Sequence, residues 1–391
     1  MIPESPRPLP MALPEPSAEA RAHSELVADH IRAEIAASGG WISFARYMEL
    51  ALYAPGIGYY SAGARKLGRD GDFVTAPEIS PLFGQTLARQ VKQVLDAGFD
   101  EVLEVGAGSG ALAATLLGEL DHSGAAPRSY LILELSADLR ERSRDTLAAK
   151  VPHLLERVAW LNRLPPSFSG VVLGNEVLDA MPVQVVRSRA GALEEAGVGV
   201  KDRGFDWVWR PATGELQQAA QALGLPEGYL TEVQLAARGF MRSLAEVLEK
   251  GVALFIDYGF PAREYYHPQR SEGTLMCHYR HQAHADPFFL PGLQDITSHV
   301  DFSAIARAAR DGGLDLAGYA SQAQFLVNCG ITELMARTPA EDAGAFLPLA
   351  NQANRLMSPA EMGELFKVIA LGRGFSAPLI GFRQGDRRNA L

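Results

Sequence analysis

The chain has 391 residues, a formal net charge of −10 and 47% hydrophobic residues. This length suffices for two domains or for one α/β domain with insertions, and the apolar content suffices for a large buried core. The excess of negative charge argues against a protein that holds nucleic acid through a broad basic surface. We therefore predict no nucleic acid partner.

The cysteine content and the N-terminal residues indicate the cellular compartment of the protein. Cys277 and Cys329 lie far apart, which predicts neither a disulfide framework nor a cysteine zinc site. No run approaches the roughly 18 apolar residues of a membrane helix, so we predict no membrane insertion. The first 16 residues hold six prolines and resemble neither a secretory signal nor an arginine-rich transit peptide. We predict a disordered leader over residues 1–20 and a cytoplasmic protein.

Helical periodicity dominates the next part of the chain, residues 21–70. Apolar residues recur at helical spacing over 18–38 and again over 43–53. The segment 71–84, G-D-F-V-T-A-P-E-I-S-P-L-F-G, follows and leads into a helix at about 81–97. We predict an N-terminal helical segment that precedes an α/β core.

A short apolar strand at 101–105 runs directly into the glycine loop G-A-G-S-G. Gly106, Gly108 and Gly110 allow a ligand to approach the backbone, and the helix that follows offers free N–H groups. A dinucleotide fingerprint has the different spacing G-x-G-x-x-G. With Glu104 two residues before the loop, this pattern is typical of the first motif of class I S-adenosylmethionine methyltransferases. A tight turn without a ligand is the alternative.

The second strand of the pattern, residues 130–134, also ends in an acid. In Rossmann-like folds an acid at this position accepts hydrogen bonds from ribose hydroxyls, so Glu134 is a candidate cofactor ligand. The alternative is that it caps the next helix. The loop and the acid together predict a nucleoside-containing cofactor.

Strands and helices alternate from residue 101 onward, which predicts an α/β fold with a mostly parallel sheet covered on both faces. Residues 183–250 differ, because they predict antiparallel strands and then a long amphipathic helix at about 229–249. The other elements predicted beyond the second strand are strands at 157–161, 171–174, 251–259, 314–319 and 378–382, and helices at 301–312, 321–336 and 358–371.

Polar residues follow the strand at 171–174. Asn175, Glu176 and Asp179 should gather at the carboxyl edge of the sheet, where open α/β sheets build their sites. The alternative is a solvated first helical turn, where acids suit the helix dipole. The motif [DN]-P-P-[YFW] of many amino-methylating nucleic acid enzymes is absent here, which argues against base methylation.

Two carboxylates suit a cationic acceptor. A guanidinium is fully protonated at neutral pH, and a pair of acids can hold two of its nitrogens while the third attacks. The acids also position the acceptor and stabilise its shifting positive charge. We predict catalytic roles for Glu176, Asp179 and Asn175 on an arginine acceptor, although a lysine or an amine would suit the same pair.

The strand at 251–259 ends in Asp257-Tyr258, and a histidine-containing segment follows it. His278, His281 and His284 could hold a metal along a helix face, but this stretch has strand character and no H-E-x-x-H signature. We predict no metal site. The interpretation that we favour is a loop lining the substrate cleft, and an ordinary surface loop is the alternative.

Several of these segments, taken together, resemble the MidA-like methyltransferases. They are D-F-V-T-A-P-E-I-S-P-L-F-G, E-V-G-A-G-S-G, G-N-E-V-L-D-A-M-P-V, D-Y-G-F, H-P-Q-R-S-E-G-T-L-M-C-H-Y-R and D-I-T-S-H-V-D-F. They occur in matching order over roughly residues 25–385. The mitochondrial members of this family are the complex I assembly factor that methylates arginine.

The resemblance implies a Rossmann-like class I methyltransferase fold that uses S-adenosyl-L-methionine. It implies a seven-stranded, mostly parallel sheet formed by residues 71–182 and 251–391, with 183–250 inserted. It also implies symmetric ω-dimethylation of a protein arginine, as the eukaryotic members perform on a core subunit of NADH:ubiquinone oxidoreductase. The absence of a mitochondrial leader pattern leaves the acceptor open.

By the motifs, the resemblance assigns the loop glycines to the cofactor and places Glu78 in the family's T-A-P-E motif. We predict a substrate-binding set of Glu78, Asp257, Tyr258, Tyr279 and Arg280. Two alternatives remain open, a methyltransferase for a small molecule or another residue and a cofactor-binding assembly factor without turnover. The sequence does not give the acceptor, the methylation pattern or the oligomeric state, for which a homodimer is one option.

Overall fold

The computed structural model describes residues 13–62 and 74–391. The predicted leader up to residue 12, and the parts of the predicted N-terminal segments that fall within 63–73, lie outside these residues. Residues 18–20 of the predicted leader belong to the first helix instead. Ser17 begins this helix because its side chain accepts a hydrogen bond from the backbone N of Ala20 at 3.1 Å.

The described residues form helices and strands with the following bounds. The strands are β1 (Ile42–Ser43), β2 (Glu101–Val105), β3 (Ser129–Leu133), β4 (Val158–Leu161), β5 (Phe168–Asn175), β6 (Gln184–Arg189), β7 (Ala192–Lys201), β8 (Gly204–Pro211), β9 (Leu230–Val233), β10 (Leu248–Phe260), β11 (Met276–Tyr279), β12 (Gln282–His284), β13 (Asp295–Thr297), β14 (Val300–Asp301), β15 (Asp315–Ser321) and β16 (Phe366–Arg373). The α-helices are α1 (Ala18–Ala37), α2 (Phe44–Tyr53), α3 (Ala76–Ile79), α4 (Pro81–Leu95), α5 (Ala111–His122), α6 (Ala137–Lys150), α7 (Gly214–Gln221), α8 (Leu235–Val247), α9 (Ala262–Tyr265), α10 (Phe302–Asp311), α11 (Gln322–Asn328), α12 (Ile331–Met335), α13 (Ala343–Met357) and α14 (Met362–Leu365).

The central sheet has the strand order β15-β16-β10-β5-β2-β3-β4, and the short β14 pairs with the end of β10. Strand β16 runs antiparallel to both of its neighbours, and the other pairings are parallel. The predicted Rossmann-like fold with a mostly parallel sheet is therefore confirmed. Parallel strands end at one edge of the sheet, so the loops after β2, β3 and β5 meet there.

Helices cover both faces of this sheet. Val171 and Leu173 of β5 point to the face covered by α4 and α5, whereas Val172 points to the face covered by α8 and α10. This alternation follows from the two-residue period of a strand. Since both faces are buried, β5 and β10 consist of nearly continuous apolar runs, as expected for a parallel sheet.

Four predicted elements differ from the structure. Gly330, with φ of +83°, divides the helix predicted over 321–336 into α11 and α12. Residues 230–233 form β9, so the helix predicted over 229–249 is shortened to α8, which packs on the central sheet and belongs to the core. The helix predicted over 358–371 is mostly β16, because its apolar run fills a central position of the sheet. The strand predicted at 378–382 is a 3-10 helix at Ile380–Phe382.

A second layer lies outside the central sheet and combines separate stretches of the chain. Strands β1, β6, β7, β8 and β9 form one antiparallel sheet, and β11, β12 and β13 form another. Helices α1 and α2 share a core with both sheets, in which Ile42, Tyr47, Val185, Cys277 and Ile296 are buried together. The predicted insertion at 183–250 thus contributes only part of this layer.

Candidate active site

The glycine loop after β2 forms the floor of a large cavity at the carboxyl edge of the sheet. The backbone of Gly106 donates to the carbonyl of Leu133 at 2.9 Å, which ties the loop to the end of β3. Gly106 and Gly108 have φ of +68° and +53°, and residues 106–109 line the cavity. A positive φ is adopted most easily by glycine, which explains both positions.

The third glycine has a different role from the one that we predicted. Gly110 has φ of +80° and precedes α5, and it does not line the cavity. A Cβ there would lie 2.8 Å from Cα of Ser143 in α6. Gly110 therefore permits close packing of the loop against α6, and the structure does not place it for direct contact with a cofactor.

Two buried acids flank the loop. Glu104 in β2 accepts a hydrogen bond from the hydroxyl of Tyr130 at 2.6 Å. Burial raises the pKa of Glu104 to about 7 despite this hydrogen bond. Glu134 follows β3 and accepts from the backbone N of Ser136 at 3.0 Å, and burial raises its pKa as well. Both acids line the cavity, so both are available to a ligand.

The cavity has a volume of about 1560 Å³ and lies between the central sheet and the second layer. Pockets for single small ligands usually measure about 300–1,000 Å³, so this cavity has room for a cofactor and for part of a second molecule. Its walls include residues that follow β2, β3 and β5 and others from α2, β11 and β13.

The loop after β5 brings Asn175 and Glu176 into this cavity. Glu176 has φ of +53°, which is uncommon for a residue with a side chain, and its backbone N donates to the carbonyl of Ile256 at 2.8 Å. Its Oε1 accepts from the backbone N of Ala76 at 3.2 Å and from Nδ2 of Asn175 at 3.1 Å. Burial raises the pKa of Glu176 to about 8, and the nearby charge of Asp179 adds to this shift.

Asp179 lies in the same cavity. The hydroxyl of Tyr258 donates to its Oδ2 at 2.5 Å, whereas its Oδ1 is buried and has no hydrogen-bond partner among the described residues. Burial raises the pKa of Asp179. No salt bridge reaches Glu176 or Asp179 within the described parts of the chain. A buried pair of acids without a cationic partner suits a cation that arrives with a substrate.

The predicted substrate-binding set is only partly brought together, because Tyr258 lines the cavity and the other four do not. Asp257 is fully buried, and its Oδ2 accepts the backbone N–H groups of Val177, Leu178 and Asp179 at 2.9–3.2 Å. It positions the loop after β5, and no oxygen is left facing a substrate.

Glu78 also acts on a neighbouring loop instead of facing the cavity. Its Oε1 accepts from Oγ of Ser109 in the glycine loop at 2.5 Å, which joins α3 to the cofactor side. Tyr279 is buried against Phe289, and Arg280 lies on the exposed turn between β11 and β12 with φ of +47°. Neither of these two residues reaches the cavity.

The histidine-containing segment divides between two places. His278 lines the large cavity, whereas His281 and His284 lie in a separate surface depression. No group of three potential ligands with metal-binding geometry occurs among the residues that the structure describes.

Sequence reasoning missed several cavity residues from the second layer. Tyr53 and Tyr60 come from α2 and the turn after it, Asp295 comes from β13, and His299 follows β13. Burial lowers the pKa of His299 to about 4, so its imidazole is neutral at physiological pH. Asp295 and His299 belong to the segment D-I-T-S-H-V-D-F. This segment lies far from the glycine loop in the sequence, so no local pattern predicted that the two would meet at one cavity.

The residues present fit a nucleoside cofactor with a positively charged end. The loop backbone at 106–109 and the acid Glu134 line one side of the cavity. Oδ1 of Asn175 is buried without a hydrogen-bond partner among the described residues, which leaves an acceptor for a donor group of a ligand. Glu104 offers a further acidic group beside the loop.

Comparison with known proteins agrees with this geometry. A family model described as an S-adenosyl-L-methionine-dependent methyltransferase matches residues 82–320, which is more than half of the chain. The chain belongs to this family of methyltransferases. Its resemblance to the MidA-like members, predicted from the motifs, is thereby confirmed.

Named relatives match the chain over most of its length. The mitochondrial protein arginine methyltransferase NDUFAF7 of Mus musculus is 31% identical over 373 residues, which cover 85% of this chain and 81% of that protein. The NDUFAF7 homolog of Drosophila melanogaster is 29% identical over 427 residues, with 95% and 92% covered.

A solved structure gives the cofactor. The crystal structure of a protein from Burkholderia thailandensis, described as a likely methyl transferase and bound to S-adenosyl-homocysteine, is 55% identical to this methyltransferase. It covers 97% of this chain and 100% of the other, with a TM-score of 0.94. The methyltransferase described above therefore uses S-adenosyl-L-methionine, and the predicted cofactor is confirmed.

Proposed function

We propose that this methyltransferase modifies arginine side chains of a protein and forms symmetric ω-dimethylarginine. We further propose that its acceptor is a subunit of a respiratory complex of the complex I type. The observation that carries the arginine proposal is the buried acid pair, Glu176 and Asp179, which has no cationic partner among the described residues. The names of the curated relatives, protein arginine methyltransferases, support the same acceptor.

The acids explain how a guanidinium would be held. Bound S-adenosyl-L-methionine supplies a methyl group on a positively charged sulfur. Glu176 and Asp179 accept hydrogen bonds from two nitrogens of the guanidinium, so that the third nitrogen is held in a fixed orientation. Tyr258 fixes the orientation of Asp179, and Asn175 fixes that of Glu176. Both carboxylates also stabilise the positive charge of the acceptor.

The proton that the acceptor loses needs a nearby base. Burial already raises the pKa of Glu176 and of Asp179, so either carboxylate can accept a proton near neutral pH. Because these two acids interact, they lose their protons in two steps, and each apparent pKa describes the pair and not a single residue.

A labelled-donor assay tests this function. The purified protein is incubated with a host lysate and S-adenosyl-L-methionine labelled on the methyl group, and the labelled proteins are identified by mass spectrometry. We expect label on arginine of a respiratory subunit, as ω-dimethylarginine with one methyl on each terminal nitrogen. Label confined to small molecules or to lysine would contradict the proposal, and binding of the cofactor without any transfer would indicate an assembly factor.

Variants separate catalysis from binding in that assay. Glu176→Gln should lose transfer, because the neutral amide cannot balance the guanidinium charge, and should keep cofactor binding by isothermal titration calorimetry. Glu49→Gln is a matched control, since Glu49 is an exposed glutamate that lines the same cavity.

The cytoplasmic location and the absence of a nucleic acid partner stay predictions. Among the residues that the structure describes, every helix is too short or too polar to span a bilayer.

A further inference from the structure

Two tyrosines of the second layer form an aromatic wall of the cavity. The rings of Tyr53 and Tyr60 are stacked, with 5.4 Å between their centroids and 24° between their planes. Both residues are partly buried and both line the cavity. They lie before residue 82, where the match to the family model begins.

Hydrogen bonds fix both rings in place. The hydroxyl of Tyr53 donates to the carbonyl of Ala180 at 2.8 Å, and that of Tyr60 donates to Oδ1 of Asp295 at 2.9 Å. Each tyrosine is therefore held at its polar end, while its ring borders the cavity. Burial raises the pKa of both tyrosines well above the usual value, so both stay neutral.

The wall stands beside the acid pair. Ala180, which accepts from Tyr53, directly follows Asp179. The hydroxyl of Tyr53 therefore lies beside the loop that carries Asp179, and the ring of Tyr60 is stacked on that of Tyr53. A cation held by Asp179 would thus have an aromatic surface next to it.

We propose that the Tyr53–Tyr60 wall selects a flat, delocalised cation, the guanidinium of an arginine, over the ammonium of a lysine. This inference rests on the proposed arginine acceptor and names the residues that decide it. A guanidinium stacks on an aromatic face, is weakly hydrated and presents its donors in one plane. An ammonium gains less, because it is compact and strongly hydrated. Cation–π contacts therefore favour the guanidinium.

The test measures binding of two small cations, n-butylguanidinium and n-butylammonium, to the full chain saturated with S-adenosyl-homocysteine. Titrations followed by NMR give both dissociation constants. The wild-type protein should bind butylguanidinium about tenfold more tightly than butylammonium. Tyr60→Leu should reduce this preference to about twofold, because it removes one ring of the stacked pair and keeps an apolar side chain. Tyr60→Phe keeps the ring and should lose less of the preference than Tyr60→Leu.

Tyr266→Leu is a matched control outside the cavity. Tyr266 is also partly buried, packs on a neighbouring tyrosine ring at 4.8 Å and donates its hydroxyl to Asp301 at 2.9 Å. This variant should keep the tenfold preference. If Tyr60→Leu fails to fold, Tyr53→Leu replaces it and should have the same effect, since it removes the other ring of the pair.

Three results would overturn the inference: no preference in the wild-type protein, an unchanged preference in Tyr60→Leu, or an equal weakening of S-adenosyl-homocysteine binding in that variant. Failure of the proposed function is distinguishable from these results. It would appear as the absence of methylarginine in the labelled lysate while the wild-type protein still prefers butylguanidinium in a Tyr60-dependent way.

Discussion

Oδ2 of Asp257 accepts a hydrogen bond from the backbone N of Asp179 at 3.2 Å. A fully buried carboxylate of β10 thus holds the loop that carries the acid pair after β5. The two strands are neighbours in the sheet, paired in parallel from Leu248↔Phe168 to Ile256↔Asn175. The arrangement explains why an acid at the end of one strand controls the position of acids at the end of the next.

We predict that Asp257→Asn lowers kcat more than it changes cofactor binding. The amide has only one oxygen, so it cannot accept both from the three backbone N–H groups of the loop and from the backbone N of Tyr258, and the loop loses its fixed position. We expect kcat to fall about 10- to 100-fold and the dissociation constant for S-adenosyl-L-methionine to stay within about twofold. Steady-state kinetics and calorimetry measure the two quantities. A tenfold loss of cofactor affinity with unchanged kcat would refute this role.

The pH dependence of activity should follow the acid pair. The carboxylate of Glu176 must be ionised to hold a cation, and its pKa in the free protein is about 8. Since a guanidinium does not titrate in this range, kcat/KM for the acceptor should rise with pH through about 8 and level off above it. At pH 6 it should be about one hundredth of the plateau. A profile that is flat between pH 6 and pH 9 would show that Glu176 is already ionised at neutral pH.

Stability should depend on pH in the opposite direction. Between the ordinary value of 4.5 and about 8, Glu176 is ionised in the unfolded chain and protonated in the folded protein. The folded state then binds more protons, so the free energy of unfolding falls as pH rises through this window. The shift corresponds to roughly 2–5 kcal/mol. Urea unfolding of the cofactor-free protein at pH 5 and pH 8 measures this change in the free energy of unfolding.

Glu176→Gln should reduce the fall in the free energy of unfolding between pH 5 and pH 8, because the amide does not ionise. The variant should therefore unfold at a higher urea concentration than the wild-type protein at pH 8, with a smaller difference at pH 5. Glu49→Gln, at an exposed position, should follow the wild-type protein at both values. Equal destabilisation by Glu176→Gln at both values would contradict the assignment.

Glu78 should affect the cofactor and not the acceptor. It accepts a hydrogen bond from Ser109 of the glycine loop, so Glu78→Ala leaves the hydroxyl of Ser109 without this partner and loosens the loop. We expect the dissociation constant for S-adenosyl-L-methionine to increase about tenfold, with KM for the acceptor within about twofold. Glu141→Ala, at an exposed position of α6, is the control. A change confined to KM for the acceptor would restore the substrate-binding role that the sequence predicted.

Local pattern determined the cofactor side of this protein. The run from Val102 to Gly108 combines an apolar strand with glycines at positions of positive φ, and both properties depend on neighbours in sequence. Glu134 and Glu176 could be placed at the same edge because parallel strands end together. The alternation of strands and helices determined the sheet for the same reason.

Only the tertiary structure decided which residues of the second layer line the cavity and how the loop after β5 is held. Tyr60 lies 235 residues from its partner Asp295, and Asp257 lies 78 residues from Asp179, so no local period relates them. The dependence on distant partners also explains why β16 was predicted as a helix. Its apolar run is compatible with a helix or a strand, and hydrogen bonding to β10 selects the strand. The physical reason is that side chains are buried and hydrogen-bonded against segments far away in the sequence. The spacing of residues along the chain does not indicate which distant segments will pair.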